Sequence, residues 1–157
     1  MKPLVILLAS FVLILLGSRL ITKQWKWLLS GRAAMAFMLF FTAMGHFLFP
    51  VGMAAMIPSI FPMKTEIVYI TGVMEILFGL GLLIPKTAKI TAWLLILFFL
   101  AILPANIYAV MENINFQTGE TDGPGVGYLW FRIPLQVFFI AWAYGCTGKF
   151  LGKSIRS

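Results

Sequence analysis

The sequence predicts an all-α protein in which one domain, residues 1–157, forms a bundle of transmembrane helices. Hydrophobic residues make up 61% of the chain and charged residues 11%, and the mean hydropathy is +0.98. Five apolar runs are each long enough to cross a hydrocarbon core about 30 Å thick. Soluble domains do not ordinarily combine these features, so we interpret the chain as an integral membrane protein.

The first predicted span covers residues 4–21. Its short basic start and apolar middle are also typical of a secretory signal peptide. However, no small-residue cleavage motif follows, and the next segment is strongly basic, with Trp25 and Trp27 among its lysines and arginines. We therefore expect a retained helix anchored at the membrane interface, with a cleaved signal peptide as the alternative.

The second predicted span covers residues 33–49 and carries His46 near its far end. The apolar residues 51–63 that follow contain Pro58 and Pro62, so this stretch is too short and too broken to cross a membrane. Its methionines and isoleucines recur at helical spacing. Two arrangements stay open: a segment that lies in the interface or folds back as a lid, and a tightly packed loop.

The third predicted span, residues 67–84, contains one ionisable side chain, Glu75, near the middle of the membrane. An acidic side chain at this depth costs roughly 2.5 to 3.5 kcal/mol on insertion scales, so we expect it to face the protein interior and to have a partner. Gly72 and Gly79 share its helical face, with Thr71 beside them. Small residues on that face permit another helix to approach closely.

The fourth and fifth predicted spans cover residues 90–110 and 128–144. Between them, residues 112–127 form a polar loop with four glycines, three acidic residues and no basic residue. The acids lack the spacing of a calcium-binding loop. We therefore predict a flexible connector.

The basic residues predict the orientation of the spans. Nine lysines and arginines fall in the connections on one side of the membrane, and two, Lys2 and Lys64, fall on the other. Because positive residues accumulate on the cytoplasmic side, we predict an outside N-terminus and an inside C-terminus. This distribution accounts for the net charge of +7. It forms no basic stripe interleaved with aromatics, so we predict no nucleic-acid partner.

Depth along the helices groups the polar side chains into a candidate site. At about 1.5 Å per residue, His46, Asn106 and Arg132 lie about 6 Å below the outer boundary. Glu75 and Gln136 lie about 12 Å below it by the same count. Arg132 is long enough to reach down between the two layers. We therefore predict that Arg132 is the charge partner of Glu75, each offsetting the desolvation of the other.

This cluster has two interpretations. In the first, Glu75 is a candidate acid or base, Arg132 sets its charge, and both face a pocket that opens toward the outer side. The candidate ligand-binding side chains of that pocket are His46, Asn106, Gln136, Thr71 and Tyr69. In the second interpretation, a buried ion pair only holds four helices in register.

The composition excludes several redox centres within one chain. A single cysteine, Cys146, permits no internal disulfide and no CxxC pair, and a single histidine permits no bis-histidine haem. The sequence also lacks a ligand set for zinc or an iron–sulfur cluster. We therefore predict no metal site and no covalently bound cofactor.

Short motifs follow one another along the chain. They are GHF at residues 45–47 with Pro50, YITGVMEILFGLGLLIP at residues 69–85, PANI at residues 104–107, and RIPLQ at residues 132–136 with WAY at residues 142–144. Over about residues 32–144 they resemble the DoxX-like family of small bacterial membrane proteins. The resemblance implies a four-helix bundle in the bacterial cytoplasmic (inner) membrane. The first helix is then an addition to a four-helix DoxX-like core.

The resemblance also implies a function. The name-giving member resembles a small subunit of a thiosulfate to quinone oxidoreductase, and other relatives are linked with redox homeostasis at the membrane. We therefore expect a quinone or similar lipophilic molecule to bind in a redox process, with the bilayer and a membrane or periplasmic redox protein as partners. Two alternatives stay open: an isomerase like the EXPERA group that uses a buried glutamate, and a non-catalytic scaffold or assembly subunit. The sequence does not decide whether the chain is an enzyme.

Overall fold

The computed structural model describes residues 2–148 and has no β-strand in this part of the chain. Its α-helices, numbered in chain order, are α1 Lys2–Thr22, α2 Trp27–Leu48, α3 Pro50–Ala55, α4 Lys64–Leu83, α5 Ala88–Met111 and α6 Leu129–Cys146. A 3-10 turn, Val126–Tyr128, precedes α6. All of these helices except α3 are long and apolar enough to cross a membrane. The chain is therefore a multi-pass membrane protein, as predicted.

Four of the helices form a closed ring. α2 packs against α4 and α6, and α5 packs against both α4 and α6. α1 lies outside this ring against α2. There Leu7 is fully buried, and the ring of Phe11 meets Trp142 of α6 edge-on, with centroids 5.0 Å apart. This confirms the predicted all-α membrane helical bundle with a four-helix core and one extra N-terminal helix.

The long helices alternate in direction, so the bundle has two chemically different ends. The basic end contains residues 23–26, residues 84–87 and the C-terminus of α6, and the capped end contains α3 and residues 112–128. Arg32 Nε donates a 2.9 Å hydrogen bond to the carbonyl oxygen of Cys146 and so joins the start of α2 to the end of α6. Three of the predicted inside cations lie outside the described residues: Lys149, Lys153 and Arg156.

Two glycines of α4 let α2 approach closely. A Cβ atom on Gly72 would lie 2.8 Å from the Cβ atom of His46, and one on Gly79 would lie 2.5 Å from a ring carbon of Phe40. Because interiors are close-packed, a larger residue at either position would push the helices apart. The predicted role of this small-residue face is confirmed, and the close approach places His46 against α4.

A folded cap covers the end of the bundle where α2 and α5 stop. α3 packs against α4, and a Cβ atom on Gly52 of α3 would lie only 2.3 Å from the carbonyl oxygen of Phe116. Within residues 112–127, the amide of Asn115 donates a 2.8 Å hydrogen bond to the carbonyl oxygen of Glu120. The segment predicted to be a flexible connector is thus a hydrogen-bonded loop packed on α3.

Candidate functional site

The buried side chains of the predicted site lie between the middle of the bundle and its capped end, whereas Ser30, Thr91 and Thr147 are buried near the basic end. α2 and α5 end at the capped end, whereas α4 and α6 begin there, so each helix contributes polar residues at a similar height. Glu75 is 5% exposed, and Asn106 and Gln136 are also buried. Hydrogen bonding divides these residues into one group between α2 and α4 and another between α5 and α6.

His46 on α2 is held by the backbone of α4. Its Nδ1 lies 2.9 Å from the carbonyl oxygen of Val68 and 3.1 Å from Oγ1 of Thr71. The Thr71 hydroxyl itself lies 2.9 Å from the Ile67 and Val68 carbonyl oxygens, to one of which it donates. Because a carbonyl oxygen can only accept, His46 Nδ1 carries a proton. This contact fixes the tautomer of the neutral ring.

Glu75 faces the other ring nitrogen of His46. Its Oε2 lies 3.6 Å from His46 Nε2. With Nδ1 protonated, Nε2 presents a lone pair unless the ring is a cation. A carboxylate facing that lone pair would be repelled, so we infer that one proton is shared by the two groups, on the imidazole or on the carboxyl. In both cases the pair has no net charge, which reduces the cost of burying it.

The Glu75 Oε2 atom lacks a hydrogen bond in the described part of the chain. The 3.6 Å contact with His46 exceeds the usual N–H···O range of about 2.7 to 3.2 Å. Unpaired buried polar atoms are rare in native proteins. This oxygen therefore has unused capacity to accept a hydrogen bond from a bound molecule.

Arg132 does not pair with Glu75, so this predicted charge partner is wrong. Arg132 Nη2 donates a 2.6 Å hydrogen bond to Asn106 Oδ1. Among residues 2–148, the ion pair of Glu75 is with His46 and none joins it to Arg132. The helical rise predicted a similar membrane depth for His46, Asn106 and Arg132. It did not predict which neighbouring helix each side chain faces. Because α5 packs directly against α6, Arg132 bonds to Asn106. Because α2 packs directly against α4, Glu75 meets His46.

The amide side chains between α5 and α6 differ in their hydrogen bonding. Gln136 Nε2 donates a 2.7 Å hydrogen bond to the carbonyl oxygen of Phe99, so it ties α6 to α5 and does not join Glu75. Asn106 accepts from Arg132, but its Nδ2 is buried without a partner among the described residues. Asn106 therefore keeps an unused donor.

Tyr69 lies on the exposed face of α4, apart from the buried polar group. Its ring stacks on Phe47, with centroids 5.9 Å apart and an interplanar angle of 26°. Tyr69 lies six positions before Glu75, which places the two residues nearly two helical turns apart. Thr71, by contrast, contacts His46 directly. Of these two α4 residues predicted to bind a ligand, only Thr71 lies with the buried pair.

An open apolar groove of about 360 Å³ runs between α4 and α5. Its lining residues are Met74, Phe78, Leu94, Leu97, Phe98 and Ala101. Met74 precedes Glu75, and Phe78 lies one turn beyond it, but the carboxyl of Glu75 is not part of the lining. In a bilayer, the lipid tails would fill such a groove.

The α2–α4 group places an imidazole and a carboxyl 3.6 Å apart, and these are the two side-chain types that most often transfer protons to and from a bound molecule. It does not resemble a metal centre. Residues 2–148 contain no cluster of three or more histidine, cysteine, aspartate or glutamate side chains suited to a metal ion.

Sequence reasoning missed the contribution of Val68. It acts through its carbonyl oxygen, which fixes the proton on His46 Nδ1, and a backbone atom leaves no signature in the residue type. Two signals were available nearby. Gly72 marks where α2 comes closest to α4, and Thr71 marks a hydroxyl able to bond the same turn of backbone.

A family model described as "Domain of unknown function (DUF8561)" matches residues 35–147. The match covers more than half of the chain and includes both polar groups, while α1 and the start of α2 lie before it. No curated protein and no solved structure gives a significant match.

Proposed function

Because the chain belongs to the family described as "Domain of unknown function (DUF8561)", we propose its function from the residues of its own site. We propose that it binds a small lipophilic molecule with carbonyl or hydroxyl groups, such as a quinone, below the capped end. The His46–Glu75 pair exchanges a proton with that molecule.

The observation that carries this proposal is the incomplete contact between Glu75 and His46. His46 Nε2 and Glu75 Oε2 lie 3.6 Å apart, and Oε2 has no hydrogen-bond partner within residues 2–148. A purely structural pair would gain stability from a shorter, complete hydrogen bond. Because Glu75 Oε2 is not engaged in a hydrogen bond with the described residues, the carboxyl can form one with a ligand when the ligand binds.

The second unused polar atom complements the first. Asn106 Nδ2 is a buried donor, which suits a ligand carbonyl, and Glu75 Oε2 is a buried acceptor, which suits a ligand hydroxyl. A quinone offers carbonyls and the corresponding quinol offers hydroxyls. The two atoms therefore match the two redox forms of one ligand class.

A redox process requires a partner in this proposal. Oxidation of a quinol releases two protons and two electrons. The His46–Glu75 pair can accept one proton, the second proton passes to water at the capped end, and both electrons pass to a membrane or periplasmic redox protein. The motifs that resemble the DoxX-like family support this part of the proposal, and the charge distribution supports a capped end on the outer side of a bacterial inner membrane.

The test is to measure the quinone that the purified protein retains. The chain would be purified in mild detergent, its bound lipids extracted, and quinone quantified per protein by mass spectrometry. We expect the native chain to retain quinone and Glu75→Gln to lose at least about ten-fold of it, because hydrogen bonds to charged groups contribute about 1.5 to 3 kcal/mol. The matched control is Glu66→Gln, the same change at an exposed carboxyl on the same helix.

Three outcomes would contradict the proposal. The first is a native chain that neither retains quinone nor binds added quinone. The second is an equal loss in Glu66→Gln and Glu75→Gln. The third is isomerisation of an added sterol-like substrate that depends on Glu75, which would support the isomerase alternative. A native chain without ligand, combined with a sharp fall in melting temperature for Glu75→Gln, would favour a scaffold.

A further inference from the structure

The charges of this chain are separated between the two ends of the bundle. Six cations of the described residues lie at the basic end: Arg19, Lys23, Lys26, Arg32, Lys86 and Lys89. The sequence has five acidic residues, and none lies at that end. Four of them are at the capped end, namely Glu66, Glu112, Glu120 and Asp122, and the fifth is Glu75. Within residues 2–148, no acidic side chain therefore lies at the basic end to neutralise its cations.

The turn between α1 and α2 holds its cations at the depth of lipid headgroups. Leu20 and Ile21 are 82% and 85% exposed on the protein, so a bilayer must cover them. Lys23 follows only two residues later, at most about 7 Å further along the chain. The rings of Trp25 and Trp27 stack beside it, with centroids 5.9 Å apart. Tryptophan is enriched at this boundary between hydrocarbon and headgroups.

The same turn is organised by its own contacts. The Arg19 guanidinium donates a hydrogen bond to the carbonyl oxygen of Lys23 and lies 5.7 Å from the ring centre of Trp25. The backbone amide of Lys26 lies 3.4 Å from the Ser18 hydroxyl oxygen. These contacts use the backbone and aromatic rings and leave the Lys23 and Lys26 ammonium groups exposed. The turn is thus already ordered, so binding at Lys23 and Lys26 would not require a change in its backbone conformation.

We propose that the basic end is a binding surface for the phosphate headgroups of anionic phospholipids. The charge is complementary, and the depth selects a lipid over a soluble acidic protein, which would have to displace headgroups to reach Lys23. Basic residues near an anionic membrane surface each contribute attraction that decays within a Debye length. The surface is separate from the Glu75 site and does not depend on the function proposed for it.

The test compares lipid preference in native and variant chains. The full chain would be reconstituted in bilayers of phosphatidylcholine with a minor fraction of phosphatidylglycerol, and the enrichment of each spin-labelled lipid at the protein would be measured at low salt. We expect phosphatidylglycerol to be enriched. The double variant Lys23→Gln/Lys26→Gln should lower that enrichment. Each lysine removed should lower it by up to about five-fold, because a basic residue near the membrane surface contributes about 1 kcal/mol.

The matched control is Lys2→Gln/Lys64→Gln, which removes two lysines from the capped end. It should leave the enrichment within about two-fold of the native value. Raising the salt concentration should weaken the preference of the native chain, whereas inorganic phosphate at constant ionic strength should not compete. Equal losses in both double variants, no preference for phosphatidylglycerol, or displacement by free phosphate would each overturn the proposal.

Discussion

The buried polar groups between α5 and α6 differ in their hydrogen bonding from those between α2 and α4. Between α5 and α6, Arg132 and Gln136 donate short hydrogen bonds of 2.6 and 2.7 Å. Between α2 and α4, the contact of His46 with Glu75 is 3.6 Å long and leaves a buried oxygen unpaired. The first two contacts tie α5 to α6, although Asn106 Nδ2 stays unpaired there, whereas the contact of His46 with Glu75 leaves hydrogen-bonding capacity on the Glu75 carboxyl that residues 2–148 do not use.

This difference indicates that the α5–α6 hydrogen bonds mainly stabilise the fold, whereas Glu75 mainly serves the proposed ligand binding. A complete buried hydrogen bond contributes to folding, and its loss leaves a partner unpaired. An incomplete one contributes little to folding but is available to a ligand. We therefore expect substitutions between α5 and α6 to lower the free energy of unfolding, and substitutions at Glu75 to change binding more than stability.

The largest effect is expected for Arg132→Met. It leaves both polar atoms of the buried Asn106 amide unpaired, so the free energy of unfolding should fall by about 3 kcal/mol. Denaturation in mixed detergent micelles would measure this loss. The double variant Arg132→Met/Asn106→Leu removes both partners and should recover part of it. A double variant less stable than the single one would show that the α5–α6 hydrogen bond does not have this role.

A smaller effect is expected for Gly79→Ala, which tests the close contact of α2 with α4. Its new methyl group would lie 2.5 Å from a ring carbon of Phe40, and overpacking of this kind costs about 1 to 3 kcal/mol. Gly17→Ala on α1 is the control, because no atom lies within 4 Å of its Cβ position. The control should raise stability by up to about 1 kcal/mol. Similar losses in both variants would show that the loss in Gly79→Ala does not come from the contact of α2 with α4.

Glu75→Gln should change the free energy of unfolding by less than about 1 kcal/mol. Oε2 makes no hydrogen bond within residues 2–148 that could be lost, and a neutral amide is easier to bury than a carboxylate. The same denaturation experiment would compare it with Arg132→Met. A loss as large as that of Arg132→Met would remove the distinction between the two helix pairs.

The smallest effect is expected for Ser30→Ala. Ser30 is fully buried near the basic end, and its hydroxyl has no hydrogen-bond partner in the described residues. Removing a buried hydroxyl without a partner should raise the free energy of unfolding by about 0.5 kcal/mol, the low end of the cost of burying such a group. A marked destabilisation, seen in the same unfolding curves, would indicate that unpaired atoms in this bundle are in fact satisfied.

The sequence was sufficient for the fold because hydropathy and length identify membrane spans directly. It was less accurate at helix ends. α2 begins at Trp27, six residues before the predicted span, since hydropathy detects the edge of the hydrocarbon and the helix continues beyond it. Arg32 was counted as part of a connection for its charge, yet it lies within α2 and bonds to the end of α6.

The approximate depth of the polar side chains could be estimated from the sequence, but their pairing could not, and Tyr69 lies on the exposed face of α4. Counting along a helix gives height, whereas the rotation of each helix decides which neighbour a side chain meets. His46 and Arg132 have similar heights, and both could have reached Glu75. The choice of His46 depends on the close approach at Gly72 and on the Val68 carbonyl oxygen, which are properties of the packed bundle.

The central claim is that His46 and Glu75 share one proton while Val68 holds a second proton on Nδ1. His46 is the only histidine in the chain, so ¹⁵N-histidine labelling of protein purified through a histidine-free tag reports this ring alone. We predict an NMR spectrum in which Nδ1 is protonated in both the native chain and Glu75→Gln, and in which the Nε2 resonance moves between them. A ring protonated on Nε2 alone, or an Nε2 resonance that ignores the change at residue 75, would contradict the account.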